Sequence, residues 1–232
     1  MTDHSFTRYA VYCVPHGDAL SAFGASWLGW DCNTGQPVPQ PDIPGMAAAT
    51  AAPRKYGFHG TLKPPFRVAP GHTADALSDA VATLAAHRPA AHADGLAVTP
   101  LGRFLALTPT GDMAQLRDLA AACVTELDAF RAPMTDTELA KRRAAGLSAH
   151  QDALLLKWGY PFVLDAFRFH LTLTGRLDRA DLPNWQHHVT NRLPDLPRPF
   201  VIDSLALCGE RTDGQFQVIQ RFALTGPPSG GP

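Results

Sequence analysis

The sequence is poor in charged residues, in charge of one sign and in long apolar runs. Charged residues make up 18% of the 232 positions, hydrophobic residues 45%, and the formal net charge at pH 7 is −1. Without a basic surplus, the chain is not expected to bind a long nucleic acid. No apolar run approaches the roughly 20 residues of a membrane span, so no membrane segment is expected either. The composition is typical of a soluble globular protein.

Cysteine is also scarce, and the four residues Cys13, Cys32, Cys123 and Cys208 are widely scattered. No Cys-x-x-Cys pair and no cluster of cysteine with histidine occurs, which predicts neither a disulfide framework nor a zinc site. Isolated cysteines on apolar segments are usually small core residues. The first residues lack the basic and apolar segments of a signal peptide. We therefore expect a cytoplasmic protein.

The sequence does contain two similar short segments with alternating polarity. The first is Lys55-Tyr-Gly-Phe-His-Gly-Thr-Leu-Lys-Pro-Pro65. The alternation predicts a strand, and the two prolines predict that it cannot continue past Lys63. Alternate residues of a strand share a face, so His59, Thr61 and Lys63 are predicted to project together.

The second segment is Phe167-Arg-Phe-His-Leu-Thr-Leu-Thr174. On a strand, Arg168, His170 and Thr172 share one face, and the phenylalanine and leucine side chains share the other. Both segments thus read Phe-His-x-Thr-Leu, with the histidine and threonine on the polar side. A bare His-x-Thr spacing is weak evidence, since His188-Val-Thr190 also matches it within a predicted helix, where residues i and i+2 do not share a face.

The order of predicted elements repeats. A strand with the motif, a helix and two further strands occur over 56–108 and again over 167–224. This predicts an α+β fold of two related lobes, with antiparallel sheets that line a central cleft and helices on the outside. We expect one bilobal domain over 1–225, with the motif strands at 55–63 and 166–174, and a disordered tail over 226–232.

Residues 31–53 are rich in proline, glycine and alanine and lead directly into the first motif. This composition predicts a long loop, and long loops in compact domains are often functional or mobile. The position of this loop raises the possibility that it closes over the site.

The paired motifs resemble the two-histidine (2H) phosphoesterase superfamily, in particular a bacterial branch associated with phosphonate metabolism. The resemblance rests on Arg8-Tyr-Ala10, on the segment from Tyr56 to Phe66 and on the segment from Phe167 to Leu173. It spans the chain from Arg8 to Leu224. It implies a bilobal, pseudo-two-fold fold with one motif per lobe. It also implies hydrolysis of a small, often cyclic, phosphodiester without a metal or other cofactor, and by analogy a phosphoribosyl cyclic phosphate formed in carbon–phosphorus bond breakdown.

The residue types agree with this chemistry. An imidazole has an unperturbed pKa near 6.5, so His59 and His170 can serve as one base and one acid at neutral pH. One would deprotonate the attacking water and the other would protonate the leaving alkoxide. The hydroxyls of Thr61 and Thr172 are placed to donate to the phosphate oxygens. The sequence does not assign the acid and the base.

Three further residues are candidate substrate contacts. Lys63 and Arg168 share the polar faces of the motif strands and are expected to neutralise a phosphate. Tyr12, in the first predicted strand, is a weaker candidate. The expected partner is a small phosphorylated substrate, with no metal at the site and no obligate protein partner.

Other functions remain open at this stage. One alternative is a 2′,3′-cyclic phosphodiesterase acting on nucleotides or RNA ends. Another is a module that binds a phosphorylated ligand without turnover. A histidine-based metal hydrolase would need at least one more ligand than the motifs supply.

Overall fold

The structure is a computed structural model that describes residues 6–227, which form eleven β-strands and seven α-helices. The strands are β1 (Tyr9–Cys13), β2 (Trp30–Asp31), β3 (Gln36–Pro37), β4 (Gly60–Phe66), β5 (Ala91–Ala93), β6 (Gly95–Leu101), β7 (Phe104–Thr110), β8 (Leu171–Thr172), β9 (Phe200–Ile202), β10 (Ser204–Glu210) and β11 (Phe216–Ala223). The helices are α1 (Ala19–Leu28), α2 (Met46–Arg54), α3 (Ala74–Ala86), α4 (Ala114–Glu126), α5 (Asp136–Arg143), α6 (Ala149–Trp158) and α7 (Leu182–Thr190).

Seven strands form one antiparallel sheet in the order β11-β10-β1-β4-β8-β7-β6. Its two halves, β11-β10-β1-β4 and β8-β7-β6, meet at a single pairing of Gly60 with Leu171. The predicted α+β class with antiparallel sheets is therefore confirmed, and the two halves join at this seam into a continuous sheet. Two small sheets, β2-β3 and β5-β9, lie outside it.

The chain exchanges elements between the two halves of the sheet. The motif strand β4 of the first repeat lies in the same half of the sheet as the hairpin β10-β11 of the second repeat, with β1 between them. The motif strand β8 of the second repeat lies beside the hairpin β7-β6 of the first. The helices follow the same exchange, since α3 packs on β10 and β11 and α7 packs on β6 and β7. This crossover interlocks the two lobes and brings the motif strands together at the seam.

Helix α3 illustrates how local sequence produces a helix that packs on the sheet. Thr73 caps it by accepting a hydrogen bond from the Ala76 backbone N–H at 3.1 Å, which satisfies one of the free N–H groups of the first turn. Leu77, Val81 and Leu84 follow at helical spacing and are buried. Burying each such side chain stabilises the fold by about 1.5–3 kcal/mol relative to exposure. Within residues 6–227, no helix is long and apolar enough to cross a membrane.

The prediction of a long loop over 31–53 is wrong, because its last part forms helix α2. Alanine, abundant there, is the strongest helix former, and the helix begins after Gly45, whose φ is +82°. Arg54 ties the helix to α1 by donating from Nε to the Leu28 carbonyl at 2.7 Å. No residue of 31–53 lines either of two cavities, of about 730 and 480 Å³, found among the described residues. Residues of 134–163 line both instead.

The boundaries of both motif strands also differ from prediction. Strand β4 continues through both prolines to Phe66, because its pairing with β8 is limited to Gly60 and the proline positions need no hydrogen bond on that edge. The second strand is reduced to Leu171–Thr172, preceded by a 3₁₀ turn at Leu164–Ala166. Of the predicted tail, Gly226 donates its N–H to the Arg88 carbonyl at 3.0 Å, and 228–232 lie outside the described residues.

Candidate functional site

The two His-x-Thr motifs face each other across the seam of the sheet. Gly60 lies opposite Leu171 in the antiparallel pairing of β4 with β8. Extending this register by one residue in each direction places Thr61 opposite His170 and His59 opposite Thr172. Residues directly opposite in an antiparallel pair project from the same side of the sheet. All four motif side chains are therefore brought to one face.

Both histidines make the same local hydrogen bond. His59 Nδ1 lies 2.9 Å from the Gly57 carbonyl oxygen, and His170 Nδ1 lies 2.8 Å from the Arg168 carbonyl oxygen. A carbonyl oxygen only accepts, so the ring nitrogen must carry the proton. Each neutral imidazole is thereby held as the Nδ1–H tautomer, and its Nε2 is left to exchange protons. At His59, the Thr61 hydroxyl donates to this Nε2 at 3.1 Å.

The surroundings of His59 keep it uncharged. Its ring packs against Tyr12, with centroids 3.9 Å apart, and is 5.8 Å from the Tyr56 ring. This burial lowers the pKa of His59 to about 4. The hydrogen bond with Gly57 acts in the opposite direction, and the charge of His170 lowers the pKa further. At neutral pH the Nε2 of His59 carries no proton and can accept one.

His170, unlike His59, lines a cavity of about 730 Å³, which we call the two-histidine cleft because it lies beside the paired motifs. Thr61, Phe104 and Arg168 line this cleft with it, and the Phe104 ring is 5.7 Å from the imidazole. The Arg168 side chain is exposed, and no ion pair or side-chain hydrogen bond holds its guanidinium among residues 6–227. Its five N–H donors are therefore available to an anion in the cleft.

Lys63 does not share the face of His59 and Thr61, which corrects the prediction that the three side chains project together. Tyr12 pairs with Thr61, but Val11, which precedes Tyr12 in β1, pairs with Lys63. Strand β4 therefore carries a bulge with one extra residue. A bulge breaks the alternation of faces. The ammonium group is 2% exposed and donates to the Val124 carbonyl at 2.9 Å, with Asp128 at 3.7 Å.

Tyr12, the weaker candidate for a substrate contact, does not line the two-histidine cleft. Its side chain is 1% exposed and lies behind the His59 ring. The hydroxyl is buried without a hydrogen-bond partner. Burial raises the pKa of this phenol well above its ordinary value. The residue acts on the site through His59, by covering one face of the imidazole.

A second cavity, of about 480 Å³, adjoins the two-histidine cleft and shares Phe162 with it. Its lining is rich in arginine and lysine, including Lys141 and Arg142. A run of basic residues such as 141–143 is usually a solvated helix face. Helix α5 does bury no residue, but its basic side chains also line this cavity. Neighbours from distant segments complete the lining, and no local sequence pattern indicates them.

Within residues 6–227, no group of three or more His, Cys, Asp or Glu side chains is arranged to hold a metal ion. His170 is accompanied in the cleft by threonine, arginine and aromatic residues, and His59 by Thr61, Tyr12 and Tyr56. The chemistry that these residues can perform is proton transfer and anion binding.

The fold and the paired motifs define an α+β protein with two histidines at the seam of its sheet. Residues 61–217 match the family described as "Protein of unknown function (DUF1045)". The chain belongs to this family.

Two curated relatives share substantial sequence identity with the chain, and both are called ribose 1,5-bisphosphate phosphokinase PhnN. The protein of Janthinobacterium sp. (strain Marseille) is 44% identical over 187 residues, and that of Laribacter hongkongensis (strain HLHK9) is 39% identical over 183 residues. The matches cover 78% and 77% of this chain but 41% and 42% of the relatives. The chain thus spans about two fifths of their length.

Two solved structures are similar over nearly the whole chain. TT0787 of Thermus thermophilus has a TM-score of 0.45 and 15% identity, covering 95% of this chain and 100% of its own. A protein described as a phosphoesterase has a TM-score of 0.44 and 13% identity, covering 94% of this chain and 99% of its own.

Proposed function

We propose that the protein hydrolyses a small cyclic phosphodiester by paired-histidine acid–base catalysis, without a metal or other cofactor. The observation that carries the proposal is the seam pairing of β4 with β8, which places His59 and His170 on one face. Each ring has its Nδ1 proton bound to a carbonyl, which leaves Nε2 as the atom that exchanges protons; at His59 this atom accepts a hydrogen bond from Thr61. Two such groups supply the two proton transfers that hydrolysis of a phosphodiester needs.

The surroundings of the two rings suggest their roles. His59 is uncharged at neutral pH because burial lowers its pKa, so it acts as the base and takes a proton from the attacking water at Nε2. The water oxygen bonds to phosphorus and the bond to the leaving alkoxide breaks. His170 acts as the acid in its imidazolium form: it donates the Nε2 proton to that alkoxide and is left as the neutral Nδ1–H tautomer. The Thr61 and Thr172 hydroxyls donate to the non-bridging oxygens, and Arg168 offsets their charge.

The proposed substrate is a phosphoribosyl cyclic phosphate from phosphonate breakdown. The resemblance to the phosphonate-metabolism branch supports it, as does the ribose bisphosphate in the names of the two relatives. The kinase activity in those names is not carried over, because this chain spans only about two fifths of either protein. We propose a cytoplasmic enzyme that needs no obligate protein partner.

Hydrolysis assays with His59→Asn and His170→Asn variants test this function. The substrates are ribose 1,2-cyclic phosphates and nucleoside 2′,3′-cyclic phosphates, assayed with and without a chelator. We expect each substitution to lower kcat by about 10²–10⁴, the usual contribution of one acid or base, and the chelator to have no effect. Preference for the nucleoside compounds would favour the 2′,3′-cyclic phosphodiesterase.

Three results would contradict the proposal. Loss of activity with the chelator would indicate a metal hydrolase. Full activity in either folded histidine variant would remove that residue from the mechanism. Binding of the cyclic phosphates without turnover would identify a ligand-binding module.

A further inference from the structure

The cavity beside the two-histidine cleft concentrates positive charge in a chain whose net charge is −1. Six cationic side chains line it, and the lining includes one carboxylate, Glu138. We call it the basic cavity and define it by Arg8, Lys55, Arg67, Arg131, Lys141 and Arg142. These residues come from separate segments of the chain, so the fold gathers them rather than a single charged run.

Glu210 positions two of these cations. It accepts from Arg8 Nε at 2.5 Å and lies 2.9 Å from the Lys55 ammonium, while the Thr7 hydroxyl also donates to it at 2.9 Å. Burial alone would raise the pKa of this carboxyl, but the hydrogen bonds from Arg8, Lys55 and Thr7 lower it to about 2. Glu210 is therefore charged near neutral pH. One carboxylate fixes two cations without neutralising both.

The other cations are held in a similar way or are unpaired. Arg67 pairs with Glu138 at 2.9 Å, and Arg131 pairs with Asp128 at 2.8 Å. Lys141 has no carboxylate partner among residues 6–227. Three carboxylates thus face the six cations of the basic cavity.

The paired guanidinium groups keep some binding capacity. Arg131, for example, uses two nitrogens on Asp128, while a guanidinium has five N–H donors in all. Arg142 packs over the Tyr160 ring at 4.9 Å, without a carboxylate partner among the described residues. The ion pairs hold the cations in place and leave a surplus of positive charge.

The basic cavity lies next to the reacting groups. Tyr56 lines it, and the Tyr56 ring is 5.8 Å from the His59 ring. The Lys55 ammonium lies 5.8 Å from the same Tyr56 ring on the cavity side. Phe162 forms a wall common to this cavity and the two-histidine cleft. The basic cavity and the two-histidine cleft therefore adjoin each other.

We propose that the basic cavity binds a terminal phosphate monoester of the same molecule whose cyclic diester reacts at His59 and His170. This inference rests on the proposed function: the proposed phosphoribosyl cyclic phosphate carries a second phosphate, and the inference assigns that phosphate to the basic cavity. A phosphate monoester is close to a dianion at neutral pH and offers three acceptor oxygens. That chemistry matches clustered guanidinium and ammonium donors around a positive surplus.

Two substrates that differ in one group test the proposal. Ribose 1,2-cyclic phosphate and its 5-phosphorylated form are compared with the wild-type protein and a Lys141→Ala/Arg142→Ala double variant. Charge-assisted hydrogen bonds contribute about 10- to 100-fold each. We expect the wild type to prefer the phosphorylated compound and the double variant to lose about tenfold or more of that preference, mainly in KM. Arg117→Ala removes an exposed cation that lines neither cavity and should keep the preference.

Calorimetric binding of ribose 5-phosphate separates failure of this proposal from failure of the proposed function. We expect the double variant to weaken this binding about tenfold or more, and a His59→Asn/His170→Asn variant to retain it. If neither cyclic compound is hydrolysed but this pattern holds, the phosphate site stands and the catalytic proposal fails. Equal kcat/KM for the two compounds in the wild type, or equal binding by wild type and the Lys141→Ala/Arg142→Ala variant, overturns the inference. Helix α5 buries no residue, so alanine there should not prevent folding.

Discussion

The two Phe-His-x-Thr-Leu motifs, Phe58-His-Gly-Thr-Leu62 and Phe169-His-Leu-Thr-Leu173, have nearly the same sequence and different surroundings. In each, the histidine Nδ1 is hydrogen-bonded to the carbonyl two residues earlier. The tautomer is thus a property of the motif itself. The first ring is packed against Tyr12, whereas the second opens onto the cleft. The environment of each ring is therefore set by its neighbours, and one repeated motif provides two different environments.

The difference arises from the positions of the two strands. Strand β4 is seven residues long and pairs along β1, so Tyr12 lies opposite Thr61 and its side chain can cover the His59 ring. Strand β8 has two residues and is preceded by irregular backbone. The duplicated motif is enclosed on one side of the seam and open on the other.

The largest expected effect separates the two roles by the leaving group. Removing the acid matters little when the leaving group departs as a stable anion. On a p-nitrophenyl phosphodiester, His170→Asn should therefore lose less than about tenfold in kcat, while His59→Asn should lose the full 10²–10⁴ of a missing base. On the cyclic sugar substrate, both variants should lose about 10²–10⁴. Steady-state kinetics with the two substrates provides the comparison.

Two outcomes of that experiment carry distinct meanings. If His59→Asn is the variant that an activated leaving group rescues, the roles are reversed. If the leaving group changes neither loss, the two histidines are not an acid–base pair. Circular dichroism of both variants provides the check on folding.

The residue between histidine and threonine differs between the motifs, and we expect both versions to be required by packing. Leu171 is fully buried, so Leu171→Ala should destabilise the protein by about 2–5 kcal/mol through cavity formation. A Cβ at Gly60 would lie 2.3 Å from the Phe169 ring, so Gly60→Ala should cost about 1–3 kcal/mol through overpacking. Urea denaturation measures both. Gly175→Ala is the control, since its Cβ would meet no atom closer than 3.4 Å, and a change within about 1 kcal/mol is expected. Equal stability of all three variants would contradict a tightly packed seam.

These packing details show what the sequence could and could not predict. The alternation around His59 and His170 predicted two half-buried segments, and their repeated order predicted two related halves. The alternation could not predict the bulge before Lys63, because the bulge exists only in the pairing of β4 with β1. The basic cavity was missed for a similar reason. Lys141 and Arg142 look like a solvated helix face until the fold brings the other cations beside them.

A smaller effect concerns the pKa of His59. Because burial against Tyr12 lowers the pKa of His59 to about 4, the kcat/KM of a His59 base should fall only below about pH 4. Tyr12→Leu should raise that pKa toward its ordinary 6.5 and move the acid limb with it. Tyr12→Phe keeps the ring and should keep the limb. NMR titration of the His59 ring measures the pKa directly, and an unchanged value in Tyr12→Leu would show that another group desolvates this histidine.

The same shift makes folding stability depend on pH. The folded pKa of His59 is lower than its unfolded value of 6.5, so the unfolded chain binds more protons between these values. Stability should fall as pH falls from 6.5 through 4, by on the order of 2 kcal/mol once partial exposure is discounted. Urea denaturation at pH 7 and pH 4 should show a smaller loss for Tyr12→Leu than for Tyr12→Phe.

The smallest effect on activity is expected at Lys63, where the sequence and the structure disagree. Alternation along the motif predicts that Lys63 and Arg168 contact the substrate alike. The bulge instead directs Lys63 to Val124 and Asp128, while Arg168 lines the cleft. Arg168→Ala should lower kcat/KM about tenfold or more, whereas Lys63→Met should change it less than about twofold.

Lys63→Met should act on stability instead. Asp128 keeps Arg131 as a partner, but the Val124 carbonyl loses its donor, which should cost about 1–2 kcal/mol. Burial lowers the pKa of Lys63 to about 8 against an unfolded 10.5, so wild-type stability should rise between pH 8 and pH 10.5, and the variant should lose this rise. A large loss of kcat/KM in a folded Lys63→Met protein would instead mean that the ammonium group reaches the substrate. Lys63 would then lie on the same face as His59 and Thr61, as the alternating polarity of the motif predicts.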